Sequence, residues 1–228
     1  MIELIEVPET ILPSCQTIPA FKVGKYLCSK GEQGNLAVTA DRAPWVNINF
    51  SDAKAACEAA GFKLITESQS LAIAWNISQQ AINWTGGEVG SGDLYQGLRN
   101  GDFDEPQPPI VETEDATEQR WFELSNGERI YDFAGNAYTW VFDDVQGDEN
   151  GLIAKPFSED TPSLTAPYKS LEKGMGWRPE AGANWSGDAL IRGGSWYSGC
   201  KAGAFRLYFV WPSYGWEVIG FRCTNPGL

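Results

Sequence analysis

Any chemistry in this chain would have to be done without histidine, because none occurs among its 228 residues. That removes the imidazole ligands of the usual zinc and non-haem iron sites, the Ser-His and Cys-His nucleophile pairs, and the side chain that ordinarily titrates near neutral pH. Cys15, Cys28, Cys57, Cys200 and Cys223 remain as thiols. They have no CxxC spacing, and an odd number leaves at least one unpaired unless chains crosslink. Their composition reads as small buried residues with at most one disulfide, Cys200–Cys223 being the first pair to test. Among the carboxylates, Asp143, Asp144, Asp148 and Glu149 cluster without the dodecamer pattern of a calcium helix-loop-helix, so they read as a solvated turn ahead of a cation site. The Gly-rich run Asn83–Gly92 (NWTGGEVGSG) lacks the GKS/T ending of a phosphate loop.

A net charge of -13, from 30 acidic and 17 basic residues, would repel phosphate backbones and anionic lipid headgroups, which argues against nucleic-acid partners. With 43% of residues hydrophobic, the chain can bury a core as one large domain or two small ones. Met1–Thr10 carries three Glu and neither a basic residue nor a long apolar run. This is neither a signal peptide nor a membrane-spanning segment, and no membrane insertion is expected.

The elements that would hold a site follow from local patterns. Residues 1–19 contain three prolines and read as an irregular arm, and Ala20–Ser29 as a strand leading from it. Lys30–Arg42 reads as a loop. Ser51 or Asn49 can cap a helix whose Ala53, Ala56, Cys57 and Ala60 fall on one narrow face, with Gly61 as its stop. Thr66 and Gln69 have the spacing of a capping box for a second helix carrying Leu71, Ala74, Trp75 and Ser78. Asp102–Glu123 holds eight carboxylates, one Arg and a PQPP run, which reads as an exposed connection. Asn126-Gly127 favours a tight hairpin between Arg120–Leu124 and Glu128–Tyr131, and Thr139–Phe142 is a further strand.

The last quarter stands apart. Between Arg192 and Cys223, nine of 32 residues are aromatic, about twice the frequency of the whole chain. Ala204–Trp211 and Val218–Thr224 read as strands around a Pro212–Gly215 turn. If Phe205 and Leu207 face inward, Tyr208 and Val210 face outward by the period-two rule. Tyr and Trp supply large rigid contacts at modest entropic cost.

Four landmarks in order resemble the formylglycine-generating-enzyme and sulfatase-modifying superfamily: PWVNINFSDAKAACEAAGFKLITESQ (Pro44–Gln69), DFAGNAYTWVFDD (Asp132–Asp144), RGGSW (Arg192–Trp196) and GFRC (Gly220–Cys223). The resemblance implies an α+β chain with a C-type lectin-like fold of the formylglycine-generating-enzyme variant, having two helices, small antiparallel sheets and much irregular loop. It covers residues 20–228 as one ligand-binding domain behind the 1–19 arm. The superfamily's oxidases use two cysteines at the positions of Ser198 and Gly203, and Cys200 fits neither. Family members can also bind calcium at the second landmark. Asn136 matches that pattern, but Thr139 replaces its Glu, so no cofactor is expected and a structural calcium is only the weaker alternative.

The closing segment also resembles the variable proteins of diversity-generating retroelements of phages, prophages and prokaryotes. In that pattern Arg192, Gly193, Gly194, Trp196, Ala202, Gly203, Phe205, Gly220, Phe221 and Arg222 form a fixed frame. Ser195, Tyr197, Ser198, Lys201, Tyr208, Val210, Trp211, Tyr214, Gly215, Trp216 and Glu217 are then the hypervariable, ligand-contacting positions. Within the frame, Trp196, Phe205 and Phe221 should pack inward, and Arg192 and Arg222 should satisfy carbonyls or pair with carboxylates. The resemblance implies a non-enzymatic receptor-recognition protein on a phage particle or prokaryotic surface. Its partner would be a macromolecule, protein more than glycan, and homo-oligomers are compatible with it. The alternatives are an atypical oxidase-like enzyme of the same superfamily and a structural or assembly protein.

Overall fold

The structure is a computed structural model that describes residues 1–225. The chain begins with strand β1 (Leu4–Val7), a small ladder of β2 (Thr10–Ile11) with β3 (Thr17–Ile18), β4 (Phe21–Gly24), and a second ladder of β5 (Ser29–Lys30) with β6 (Leu36–Ala37). Helix α1 (Phe50–Ala59), β7 (Lys63–Leu64) and helix α2 (Glu67–Ser78) follow. The hairpin β8 (Trp121–Glu123) and β9 (Arg129–Tyr131) leads to β10 (Tyr138–Val141), β11 (Ala189–Gly193), β12 (Gly203–Val210), β13 (Ile219–Phe221) and β14 (Cys223–Asn225).

Both helices start where their caps require. Asn49, not Ser51, accepts the Asp52 N–H at 2.9 Å, and Thr66 with Gln69 forms the reciprocal capping box. Gly61 ends the α1 segment at φ +80°, and the Asn126-Gly127 turn closes the β8/β9 hairpin. The first nineteen residues differ from the irregular arm expected of them. β1 pairs antiparallel with β4 from Leu4↔Gly24 to Val7↔Phe21 and forms the edge of a four-stranded sheet ordered β1-β4-β14-β7. Alternating Ile5 and Val7, both buried, provide the physical reason.

The second sheet is ordered β12-β11-β10-β13, with β13 parallel to β10 and the other pairs antiparallel. The expected single strand from Val218 to Thr224 is therefore two strands, which turn at Arg222 from one sheet into the other. The second sheet divides the core. On one side Phe205, Leu207 and Leu190 pack with Leu71, Ala74 and Ile77 of α2, and Trp75 meets Phe205 edge-on at 5.3 Å. On the other, Trp140, Ile191 and Phe221 pack with Phe50, Ala53 and Cys57 of α1. Trp140 donates its indole N–H to the Ile48 carbonyl at 2.9 Å. A sheet covered on both faces needs apolar side chains at both parities, which is why the period-two signal in its strands is blurred.

A candidate binding face on a main-chain frame

The two arginines of the closing motifs are internal clamps. Arg192 donates from Nε and Nη2 to both carboxylate oxygens of Glu67, the first residue of α2, and from Nη1 to the Phe205 carbonyl at 3.3 Å. Both partners are buried, so the pair locks α2 to β11 and β12. Arg222 reaches the carbonyls of Gly24 and Tyr131 at 2.6 Å each; burial pushes its pKa down to about 10, which leaves it charged at neutral pH. Phe205 and Phe221 are fully buried, whereas Trp196 is only half-buried.

Around this frame, two surface segments are held mainly by main-chain hydrogen bonds, to which the 195–201 turn adds Ser198 Oγ accepting from the Ser195 N–H at 2.8 Å and Gln96 Nε2 donating to the Cys200 carbonyl at 3.2 Å. The 195–201 turn is fixed by Trp196 N–H to the Asn136 carbonyl, Gly101 N–H to the Trp196 carbonyl and Gly199 N–H to the Arg99 carbonyl, at 2.8–2.9 Å. Gly194 enters this turn at φ +103°, where a Cβ would stand 2.9 Å from Ala202. The 211–217 loop sits on the approach to α1: Asn47 N–H donates to the Trp216 carbonyl at 2.9 Å and Phe50 N–H to the Pro212 carbonyl at 3.1 Å. Their side chains point away from these bonds. Trp211 is 69% exposed, Tyr197 50%, and Tyr214 and Trp216 nearly as much, the last two meeting edge-on at 5.6 Å.

The remaining sequence-predicted positions divide. Lys201, Gly215 and Glu217 are exposed; Ser198 and Tyr208 are half-buried. Ser195 and Val210 do not reach the surface. Ser195 has no exposed area, and its hydroxyl lies 3.0 Å from that of Ser198 under the turn. Val210 has the outward parity expected of it, but that side of β12 is covered by the α1 layer. Tyr197 lies near Tyr138 and Glu217, and its hydroxyl pKa is raised mainly by burial and then by those two groups.

Three residues that the sequence reading left out also belong to this region. Tyr138 accepts from Arg206 Nε at 2.9 Å, and the Arg206 guanidinium carbon lies 5.8 Å from the ring centre of Trp177. Trp177 itself meets Tyr208 edge-on at 5.6 Å. It reaches the face because residues 175–177 line the free edge of β12: Trp177 N–H donates to the Lys201 carbonyl, and the Phe205 and Leu207 N–H groups donate to Met175 and Trp177. Gly203 permits this approach, since a Cβ there would meet backbone at 2.5 Å. Trp177 lies in the Gly-rich stretch GMGWRPEAG (Gly174–Gly182), which carries none of the motifs read from the sequence.

Three of the five cysteines, Cys28, Cys57 and Cys223, are buried as their composition suggested, whereas Cys15 and Cys200 are exposed. Cys200 is exposed on the 199–201 turn while Cys223 is buried, and no disulfide occurs among the described residues. Cys28, Cys57 and Cys223 are instead buried together in one cluster; burial raises the Cys28 pKa well above the ordinary thiol range, and the neighbouring Cys28 with burial raises that of Cys223.

The acidic connection is more ordered than expected. Buried Arg120 engages both oxygens of Asp132 at 2.7–2.8 Å and the carbonyls of Gln107, Pro108 and Val111. The Asn136 side chain accepts from the Gln107 N–H at 2.8 Å and donates to the Gln107 carbonyl and to Asp132. Its amide oxygen is thus aimed at a peptide donor and an internal guanidinium holds the adjacent carboxylate, an arrangement that does not fit a calcium ion. A cavity of about 560 Å³ lies under this connection between Tyr26, Arg120, Trp121 and Tyr131, and none of the sequence-predicted contact positions lines it. No group of three or more Cys, Asp or Glu side chains suited to a metal occurs among the described residues, and no helix there is long and apolar enough to cross a membrane.

Residues 23–226 match the family described as the sulfatase-modifying factor enzyme 1-like domain. Among solved structures, the chain is similar to Treponema denticola variable protein 1, at 13% identity and a TM-score of 0.52, covering 98% of this chain and 94% of that one. CarF matches at 11% identity and a TM-score of 0.49 over 100% and 99% of the two chains. The Major Tropism Determinant U1 variant matches at 13% and 0.47 over 90% of this chain and 50% of that one. The likeness to the Treponema protein shows a shared fold. No curated protein matches the chain.

Proposed function

Because the chain belongs to the sulfatase-modifying factor enzyme 1-like domain family, we propose that it uses that scaffold for side-chain display: it is a non-enzymatic receptor-binding protein whose contact face is the 195–201 turn, Tyr208 and the 211–217 loop. One observation carries this reading. The most exposed aromatic side chains of the last quarter stand on segments fixed by main-chain hydrogen bonds, so their identities can change without loss of the bonds that hold the backbone. Exposed Tyr and Trp on a rigid backbone have the composition of contact hot spots. A face of this kind suits a protein surface, at a phage tip or prokaryotic cell exterior. The two places at which superfamily oxidases carry cysteines are Ser198 and Gly203 here, and neither can supply a thiol. Calcium has no part in this reading.

A library randomised at Tyr197, Lys201, Trp211, Tyr214, Trp216 and Glu217 tests it. Most members should stay folded by protease resistance, and panning against lysozyme should yield binders that lose affinity when those positions revert to alanine. A library that mostly fails to fold, or binders indifferent to the reversion, would overturn the proposal.

A further inference from the structure

Arg206 is a buried cation without an anion. Among the described residues Arg42, Arg120, Arg129 and Arg192 each pair with a carboxylate, whereas Arg206, like Arg99, Arg178 and Arg222, pairs with none. It is only 6% exposed. Nε donates to the Tyr138 hydroxyl at 2.9 Å and Nη1 to the Lys201 carbonyl at 3.1 Å; the other three N–H directions, both of Nη2 among them, meet no acceptor in the described residues. Nη2 is not sealed in, unlike Arg178 Nη1 and Arg222 Nε, which are buried without partners. The guanidinium carbon stands 5.3 Å from the ring centre of Tyr138, 5.5 Å from Tyr208 and 5.8 Å from Trp177. Ring faces offset part of the cost of removing the charge from water, but they leave in-plane N–H donors unfilled.

The local charge has the same sense. Residues 192–223 hold four basic side chains and one acidic one in a chain whose net charge is -13. Arg192 is neutralised by Glu67 and Arg222 is buried among carbonyls, which leaves Lys201 and Arg206 against Glu217 among the charged side chains of this segment.

We propose that Arg206 anchors a carboxylate of the bound protein, an Asp or Glu side chain inserted among Tyr138, Trp177 and Tyr208. A planar carboxylate matches the in-plane N–H groups that remain, and the three rings exclude water around the pair. This rests on the display reading of the face and names the chemistry that it selects.

The test uses the full chain, isotope-labelled for NMR, titrated with sodium benzoate and separately with benzamide, its neutral counterpart. Benzoate should shift the amide signals of Lys201–Tyr208 saturably, with benzamide leaving them in place. Arg206→Gln should weaken benzoate at least about ten-fold, the loss of a charge-assisted hydrogen bond. If that variant does not fold, Arg206→Lys serves instead, keeping the charge but not the planar donors, and benzoate should again bind more weakly. Equal shifts from both probes, undiminished benzoate binding in the variant, or tighter binding of inorganic sulfate than of benzoate would each overturn the carboxylate proposal. Lysozyme binders from the library above alongside a failed benzoate preference would sink this proposal alone, and the display reading would stand.

Discussion

If the face is displayed on the frame rather than built into it, stability and binding must separate when side chains are truncated. Trp211→Ala removes a side chain that is 69% exposed, on a loop whose hydrogen bonds to the α1 approach come from Pro212 and Trp216 carbonyls. Such a change should alter stability by no more than about 0.5 kcal/mol. Phe221→Ala, ten residues later, removes a fully buried ring that packs against Trp45 at 5.7 Å, and should cost roughly 3–5 kcal/mol. In a domain of this size each kcal/mol moves Tm by roughly 2–4 °C, so Phe221→Ala should melt on the order of 10 °C lower and Trp211→Ala within about 2 °C of the parent. Binding should run the other way. In a lysozyme binder that retains Trp211, truncating it should cost at least about 2 kcal/mol, near thirty-fold in Kd. Calorimetric melting and titration of the two variants give both numbers. A Trp211→Ala protein that melts as low as Phe221→Ala would refute the reasoning, because the loop would then depend on its side chains.

Three further outcomes follow from the interior. Arg192→Met leaves the Glu67 carboxylate buried without its partner and should destabilise by roughly 3–5 kcal/mol, with Glu67→Gln in the same chain recovering part of the loss in urea unfolding; no recovery would place the clamp's value elsewhere. Asp143, whose pKa is pushed up to about 6 by burial and then by Glu67, holds its proton more tightly folded than unfolded. Its contribution to stability should therefore fall as pH rises from about 4 to about 6, by at most about 1.4 kcal/mol per pH unit, and then level off. The difference between wild type and Asp143→Asn in urea midpoints should show that slope, and a difference of opposite sign would contradict it. In a thiol titration, Cys15 and Cys200 should react in the folded protein while Cys28, Cys57 and Cys223 wait for unfolding; a protected Cys200 would refute the observed arrangement.

Much of this protein was legible in its sequence because the signals were local. The Thr66–Gln69 capping box, the Asn49 cap, the Gly61 stop and the Asn126-Gly127 hairpin each depend on residues within a few positions of one another. The missing histidines restricted the available chemistry before any fold was considered. The four ordered landmarks carried the family and the two-helix α+β fold. Alternation also gave the correct parity of Phe205 and Leu207.

What tertiary structure decided was burial and company. Parity cannot report that α1 covers Val210, or that the 195–201 turn closes over Ser195. Cys223 pairs in sequence logic with nearby Cys200, yet β14 carries it into the first sheet beside Cys28, because the chain changes sheets at Arg222. Glu67 and Arg192 are 125 residues apart, as Tyr138 and Arg206 are 68, and only the sheet brings either pair together. An amino-acid pattern specifies which side chains can hydrogen-bond or pack; the strand order determines which of them meet, and whether water reaches them.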